Sequence, residues 1–202
     1  MAEGIRNPDL IRKKERQIAL AAAKCFTVNG FNQTTVREIA KASGLTIGNL
    51  YDYIKTKEDT LYLLYKEIYW EWTESVVSDE TLLQIEDPKG QLIAAVERML
   101  DIYDKSRDLM ILAIREAKFL QRHHLRAVLE QESKLVDYFA DIIRRGIEAG
   151  LFRKVDAVLA ANSIILHFAL IPLRGWSIRK NCDEGDVKQF SVDFIVNGFL
   201  AH

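Results

Sequence analysis

The sequence predicts an all-α protein, on three observations. The 202 residues include only 10 glycines and 3 prolines, about half of average usage, so turns are few and elements are long. Apolar residues recur three and four positions apart along most of the chain, the spacing that gathers them on one face of a helix. No stretch of useful length alternates apolar and polar residues as a half-buried strand does, and no internal repeat or low-complexity segment is present. With 49% hydrophobic residues, a chain of this length buries a sizeable core in one or two domains.

The elements follow in order. Asn7-Pro8-Asp9 starts the first helix, Asn7 capping its free N–H groups and Pro8 suiting its first position. Ile18, Ala22, Cys25, Phe26 and Asn29 form its apolar face until Gly30 supplies a left-handed stop and Phe31 folds back on the last turn. Thr35-Val36-Arg37-Glu38 has the capping-box pattern, with Val36, Ile39 and Ala40 inward, and Ser43-Gly44 ends that helix after about two turns. Thr46 caps a third helix, Ile47 to Ile54, whose inward pair is Leu50 and Ile54. Thr56, followed by Glu58 and Asp59, opens a long fourth helix with Leu61, Leu64, Tyr65, Ile68 and Trp72 as its buried stripe. Ser78 to Gly90, containing Asp87-Pro88, reads as a connection. Helices near 89–105, 108–120, 123–149 ending at Gly150, 155–178 and 186–201 bring the total to about nine.

Two cysteines, Cys25 and Cys182, are too few for a disulfide framework and lack metal-site spacing, which points to a reducing, cytoplasmic compartment. The residues up to Gln17 lack the apolar core of a signal peptide. The longest nearly apolar run, Ala157 to Ile171, is broken by Asn162, Ser163 and His167 and falls short of the roughly 20 residues of a spanning helix. No membrane partner is expected. The net charge is −1, which taken alone argues against a nucleic-acid binder. Its distribution reverses that inference: between Leu10 and Lys57 nine basic residues face three acidic ones, a balance of +6 that leaves −7 for the remainder. A basic module is attached to an acidic body.

Two short helices joined by a turn containing Gly44 make a helix-turn-helix, in which the first helix fixes the second so that its N-terminal residues enter the major groove. The second helix offers Thr46, Ile47, Gly48, Asn49, Tyr51 and Tyr53 on the side away from Leu50 and Ile54. Asn49 suits a base edge, Ile47 and the Thr46 methyl suit a thymine methyl, and Gly48 allows close backbone approach. Thr35, Tyr51, Tyr53 and Lys57 offer hydroxyls or charge to phosphates, Lys57 from the first turn of the fourth helix. Arg12 to Arg16, next to this motif, also read as phosphate contacts.

From Gly30-Phe31 through Thr34-Thr35-Val36, Ile39-Ala40, Gly44, Gly48, Leu50-Tyr51 and Tyr53 to Lys57-Glu58, the residues and their spacing resemble TetR-type transcriptional regulators. The resemblance is closest over residues 12–72. It implies an N-terminal three-helix DNA-binding domain at 12–72, joined through the long fourth helix to a C-terminal effector-binding and dimerisation domain at 73–202. It assigns Thr46, Ile47, Gly48 and Asn49 to base edges and Thr35, Tyr51, Tyr53 and Lys57 to phosphates. Three positions depart from the family pattern. Ile47 stands where a polar residue is common, Ile54 replaces the usual Phe, and Asp52 places a carboxylate in the recognition helix, to pair with Lys55 or accept from a cytosine amine.

The resemblance also implies a pseudo-palindromic operator read by a homodimer, and release by a small-molecule effector acting through the fourth helix; an activator or a nonspecific architectural binder are the alternatives. Surplus apolar surface in the last two helices suits a dimer interface, and about four phosphates per half-site give a salt slope near −7. Phe119, Tyr138, His167 and Trp176 are the aromatic and polar residues suited to lining an effector cavity, along with His123 and His124; no cofactor or metal is expected. The segments around Arg107–Arg126 and Arg144–Phe152 look similar to members responding to acyl-CoA or other apolar ligands. An enzyme is not expected, because no Ser/His/Asp, Cys/His or phosphate-loop arrangement is present. Adjacent His123 and His124 diverge too far to share a metal and read as a solvated helix start. His167 reads first as a hydrogen-bonded core or interface residue, and Tyr62, Tyr65, Tyr69, Trp70 and Trp72 along the fourth helix as packing of the junction between domains.

Overall fold

Caps and kinks divide the described residues into eleven α-helices. The computed structural model describes residues 7–201. The helices are α1 Pro8–Gln33, α2 Val36–Ser43, α3 Ile47–Tyr51, α4 Lys57–Trp72, α5 Glu80–Leu83, α6 Pro88–Lys105, α7 Arg107–Glu116, α8 Arg122–Glu148, α9 Ala157–Phe168, α10 Leu170–Ile178 and α11 Glu184–Phe199. A π turn, Thr73–Val77, follows α4 and a 3₁₀ turn, Ala117–Phe119, follows α7. The only β-type pairing among the described residues is an isolated bridge between Phe152 and Leu200.

Two compact units result. One holds the chain up to Ile68 together with Ile111–Val128; the other holds Tyr69–Met110 together with the chain from Leu129 onward. The backbone passes between them within α4, α7 and α8. In the N-terminal unit Ile18, Ala22, Phe26, Ile39, Leu50, Ile54, Leu61 and Leu64 are buried, so α1 and α4 provide the apolar floor on which α2 and α3 rest. In the C-terminal unit a run of aromatic rings fills the centre: Trp72 stacks on Tyr103 at 4.6 Å, Tyr103 packs on Phe168 at 5.5 Å and Phe168 on Phe139 at 5.9 Å.

Most predicted starts and stops are present. Asn7 accepts from the Asp9 N–H, Thr35 and Thr46 cap α2 and α3, and Gly150 ends α8 at φ 70°. The stripe of α4 is buried at all five predicted positions, with Leu63 in addition. Four expectations change. Gly30 (φ 74°) interrupts the first helix, but one further turn carries it to Gln33, and Asn29 is exposed. The third helix stops at Tyr51, because the Leu50 carbonyl takes the N–H groups of both Tyr53 and Ile54 while Asp59 captures those of Lys55 and Thr56. The connection at 78–90 contains α5, capped by Asp79, and the first turn of α6.

The fourth change concerns the apolar segment. The helix expected at 155–178 breaks between Phe168 and Leu170 with a 42° bend. Pro172 has no N–H to give the Phe168 carbonyl, and its ring crowds that oxygen. No single helix among the described residues is long and apolar enough to cross a membrane; α9 and α10 reach that length only as this bent pair.

Candidate nucleic-acid interface

The helix-turn-helix is assembled from local caps. At the start of α2 the Thr35 hydroxyl accepts from the Glu38 N–H at 3.2 Å, and Glu38 Oε2 accepts from the Thr35 N–H at 2.7 Å and its hydroxyl at 2.8 Å. These bonds hold the Glu38 carboxyl below the usual carboxylate range. Gly44 ends α2 at φ 67°, a left-handed conformation that a side chain would strain. Thr46 then caps α3, its Oγ1 accepting from the Asn49 N–H at 3.1 Å.

Packing decides which side of α3 is presented. Leu50 is fully buried and Ile54 nearly so, while Thr46, Ile47, Gly48, Asn49 and Tyr51 are exposed and Tyr53 is half-buried. The expected reading residues therefore share one solvent-facing surface, with Ile47 41% and Tyr51 51% exposed. Asp52 lies just past the helix, as its C-cap. Lys13, Arg37, Lys41 and Lys55 are exposed cations of the same unit, whereas Arg16 is committed to Glu67 at 2.8 Å.

Two of the expected phosphate groups are occupied inside the protein. Lys57 Nζ donates to the carbonyls of Phe31 at 2.7 Å, Thr34 at 3.0 Å and Asn32 at 3.3 Å, and sits 4.4 Å from the centre of the Phe31 ring. Its three N–H bonds thus satisfy carbonyls around the end of α1, where helical oxygens lack partners and a cation is favoured. The Thr35 hydroxyl proton is likewise given to Glu38. In this arrangement both residues fix the frame of the motif, and neither side chain is free to donate to a phosphate.

Asp59 is a framing residue that its sequence context only hinted at: Thr56 and Asp59 have capping-box spacing, and Asp59 Oδ2 accepts from the N–H groups of Lys55 at 2.7 Å and Thr56 at 2.8 Å. His124, expected at a solvated helix start, is buried instead, its ring stacked on Tyr62 at 4.2 Å. Tyr62 is a neighbour from a distant part of the chain, which no local pattern could reveal. His123 is exposed.

The four residues expected around an effector divide between the two units. Phe119 belongs to the N-terminal unit and stacks on Phe31 at 4.7 Å. Trp176 is 72% exposed. Tyr138 is buried with its hydroxyl beside the Gln91 side chain, and burial pushes that hydroxyl's pKa up to about 12. His167 stacks on Phe194 at 5.3 Å and lines a groove of about 280 Å³ with Arg153, Ser163 and Ile195; burial lowers its pKa, and its Nε2 has no partner among the described residues. A second cavity, of about 230 Å³ between Leu100, Asp104, Ile171, Arg179 and Lys188, contains none of the four. Trp72 Nε1 and Arg107 Nε are further unpartnered polar groups in this unit.

Known proteins match both halves. The family model described as bacterial regulatory proteins, tetR family, matches residues 18–61, and the one described as tetracyclin repressor-like, C-terminal domain, matches 86–168. The HTH-type transcriptional regulator HbdR of Aromatoleum sp. (strain CIB) is 25% identical over 197 residues, covering 98% of this chain and 85% of that protein. The fatty acid metabolism regulator protein of Bacillus subtilis (strain 168) is 28% identical over 157 residues, 76% of this chain and 78% of its own length. The crystal structure of AibR in complex with isovaleryl coenzyme A and operator DNA superposes with a TM-score of 0.73 at 22% identity, covering 90% of this chain and 97% of that one. With a capped helix-turn-helix presenting Thr46–Tyr51 to solvent and both halves matched, the chain belongs to the TetR family of bacterial transcriptional regulators.

Proposed function

We propose that this DNA-binding regulator is a homodimeric repressor, its DNA-binding domain at 12–72 and its effector and dimerisation domain at 73–202, which binds a pseudo-palindromic operator in the cytoplasm and is released by a small acyl-CoA-like effector. The observation that carries the reading is the exposed surface of α3, held outward by the burial of Leu50 and Ile54. Thr46, Ile47, Gly48 and Asn49 read base edges, and Tyr51 and Tyr53 contact phosphates. Because the Thr35 hydroxyl and Lys57 ammonium are engaged internally, the N-terminal turns of α2 and α4, with their backbone N–H groups, take the remaining phosphates.

The dimer face is the apolar surface of α9, α10 and α11, where Leu159, Leu166, Trp176, Phe190 and Phe194 are each 60–72% exposed. Exposed apolar residues of this size on a helical surface fit a partner subunit. The effector class is supported by a relative named for fatty acid metabolism and a fold neighbour solved with isovaleryl coenzyme A. Within the C-terminal unit, Trp72 and Arg107 hold buried polar atoms that an effector could satisfy. An effector that disfavours the operator-competent form by about 3 kcal/mol weakens binding ~100-fold.

Fluorescence anisotropy with duplexes enriched by the full chain from a random-sequence library tests the DNA face. Tyr51→Ala and Asn49→Ala are each expected to weaken binding roughly tenfold or more, with dimer mass unchanged. Unaltered affinity in both would remove the assignment. Equal affinity for enriched and random duplexes would favour the nonspecific binder.

A further inference from the structure

One carboxylate ties the recognition helix to α8. Asp59 Oδ2 closes the turn after α3 by accepting from Lys55 and Thr56, and its other oxygen, Oδ1, lies 3.5 Å from Nε2 of His124 in the first turn of α8. The imidazole lies flat on Tyr62, with ring planes 2° apart, and is 8% exposed. Its Nδ1 is buried without a partner among the described residues. Packing alone does not account for this choice, since phenylalanine would stack on Tyr62 without leaving a buried polar atom unpaired. What histidine adds is a ring nitrogen 3.5 Å from Asp59 Oδ1, an ion pair once the ring is protonated.

We propose that His124 is a positioning residue for operator binding, which through Asp59 and Tyr62 fixes the turn at residues 52–56 and so the seating of α3 in the groove. The inference rests on the reading that Thr46–Tyr51 face DNA. α8 continues beyond Val128 into the C-terminal unit, where its Glu132 meets the Tyr69 side chain of α4. α4 and α8 thus touch in both units, and His124 is where a displacement of α8 reaches the DNA-binding turn.

The link is sensitive to protons. Beside His124 stand Asp59 and Tyr62 from α4 and His123 from α8 itself, its ring centre 3.9 Å away. Burial and His123 lower the His124 pKa while Asp59 raises it, the net direction being down. The ring is therefore neutral at neutral pH and takes up its proton on the acid side. The imidazolium then faces a carboxylate and an aromatic ring, both of which attract it. Protonation strengthens the hold on Asp59 and on the turn.

The test measures affinity of the full chain for a library-enriched duplex between about pH 5.5 and 7.5. His124→Phe keeps the stack and removes the nitrogen; it should bind roughly fivefold or more weakly, and His124→Gln, which restores a polar nitrogen, should recover most of that loss at neutral pH. Wild-type affinity should rise as pH falls beyond any rise in either variant, and His123→Gln, which removes a charge that lowers the His124 pKa, should keep that rise and move it to higher pH. Wild-type affinity and profile in His124→Phe, with Tyr51→Ala still losing binding, overturns the inference alone. If Tyr51→Ala also binds normally, the DNA-facing reading has failed and the inference falls with it. Should His124→Phe not fold, NMR of ¹³C-labelled histidine in the wild type decides. Duplex binding must raise the His124 pKa by more than that of exposed His123, and an equal or smaller rise overturns the proposal.

Discussion

At the scale of single residues, the side chain of Lys57 illustrates how a charged group in a binding motif can serve the frame. Its ammonium donates to three carbonyls around the end of α1, and those oxygens would otherwise depend on water. Lys57→Met keeps the stem over Phe31 and removes the donors. Because the group is only partly buried, the expected loss is about 1–2 kcal/mol, read from chemical denaturation. The salt slope of operator binding should stay unchanged, whereas loss of a true phosphate contact would reduce it by about one. Sequence reasoning saw a cation at a helix start and gave it to DNA, because carbonyls more than twenty residues away leave no mark on the local pattern. Thr35 taught the converse: its capping box was legible within four residues, and the same bonds remove its hydroxyl proton from any phosphate.

Among elements, the junction after α8 is where shape matters most. Gly150 lets the chain turn, and the Leu151 and Phe152 N–H groups return to the Gly146 carbonyl at 2.9 and 3.0 Å. Phe152 thereby lies over Gly146, and a Cβ there would come within 2.0 Å of its ring. Glycine to alanine inside a helix ordinarily gains up to about 1 kcal/mol, but overpacking a buried ring costs about 1–3 kcal/mol or more. The clash wins. Gly146→Ala should lower the urea midpoint, while Gly185→Ala, where a Cβ meets nothing within 4 Å, should not. The ends of α8 were readable from Gly150, and the bend at Phe168 was written in Pro172 and overlooked because the flanking residues are so uniformly apolar. The short length of α3 was not readable, since Asp59 decides it from the following helix.

For the molecule as a whole, the governing features are charge separation and the uncovered apolar face. A +6 segment is attached to a −7 remainder, so DNA is attracted by the one and repelled by the other. Dimerisation doubles the phosphate contacts, so Leu166→Asp together with Phe194→Asp, on the exposed face of α9 and α11, should yield folded monomers in sedimentation. Their salt slope should fall from roughly −7 to about half that value. A dimer that persists would move the interface elsewhere.

The sequence by itself determined the helical class, the caps of α1, α2 and α3, the buried stripe of α4 and the outward residues of the recognition helix. Each of these is encoded within one or two turns, where spacing and backbone hydrogen bonding act on neighbours. The tertiary structure decided how those residues are placed: that Lys57 closes α1, that His124 is buried against Asp59 and Tyr62, and that Tyr138 is buried while Trp176 is exposed. Burial and the identity of a hydrogen-bond partner depend on which distant segments pack together, and no local periodicity carries that information.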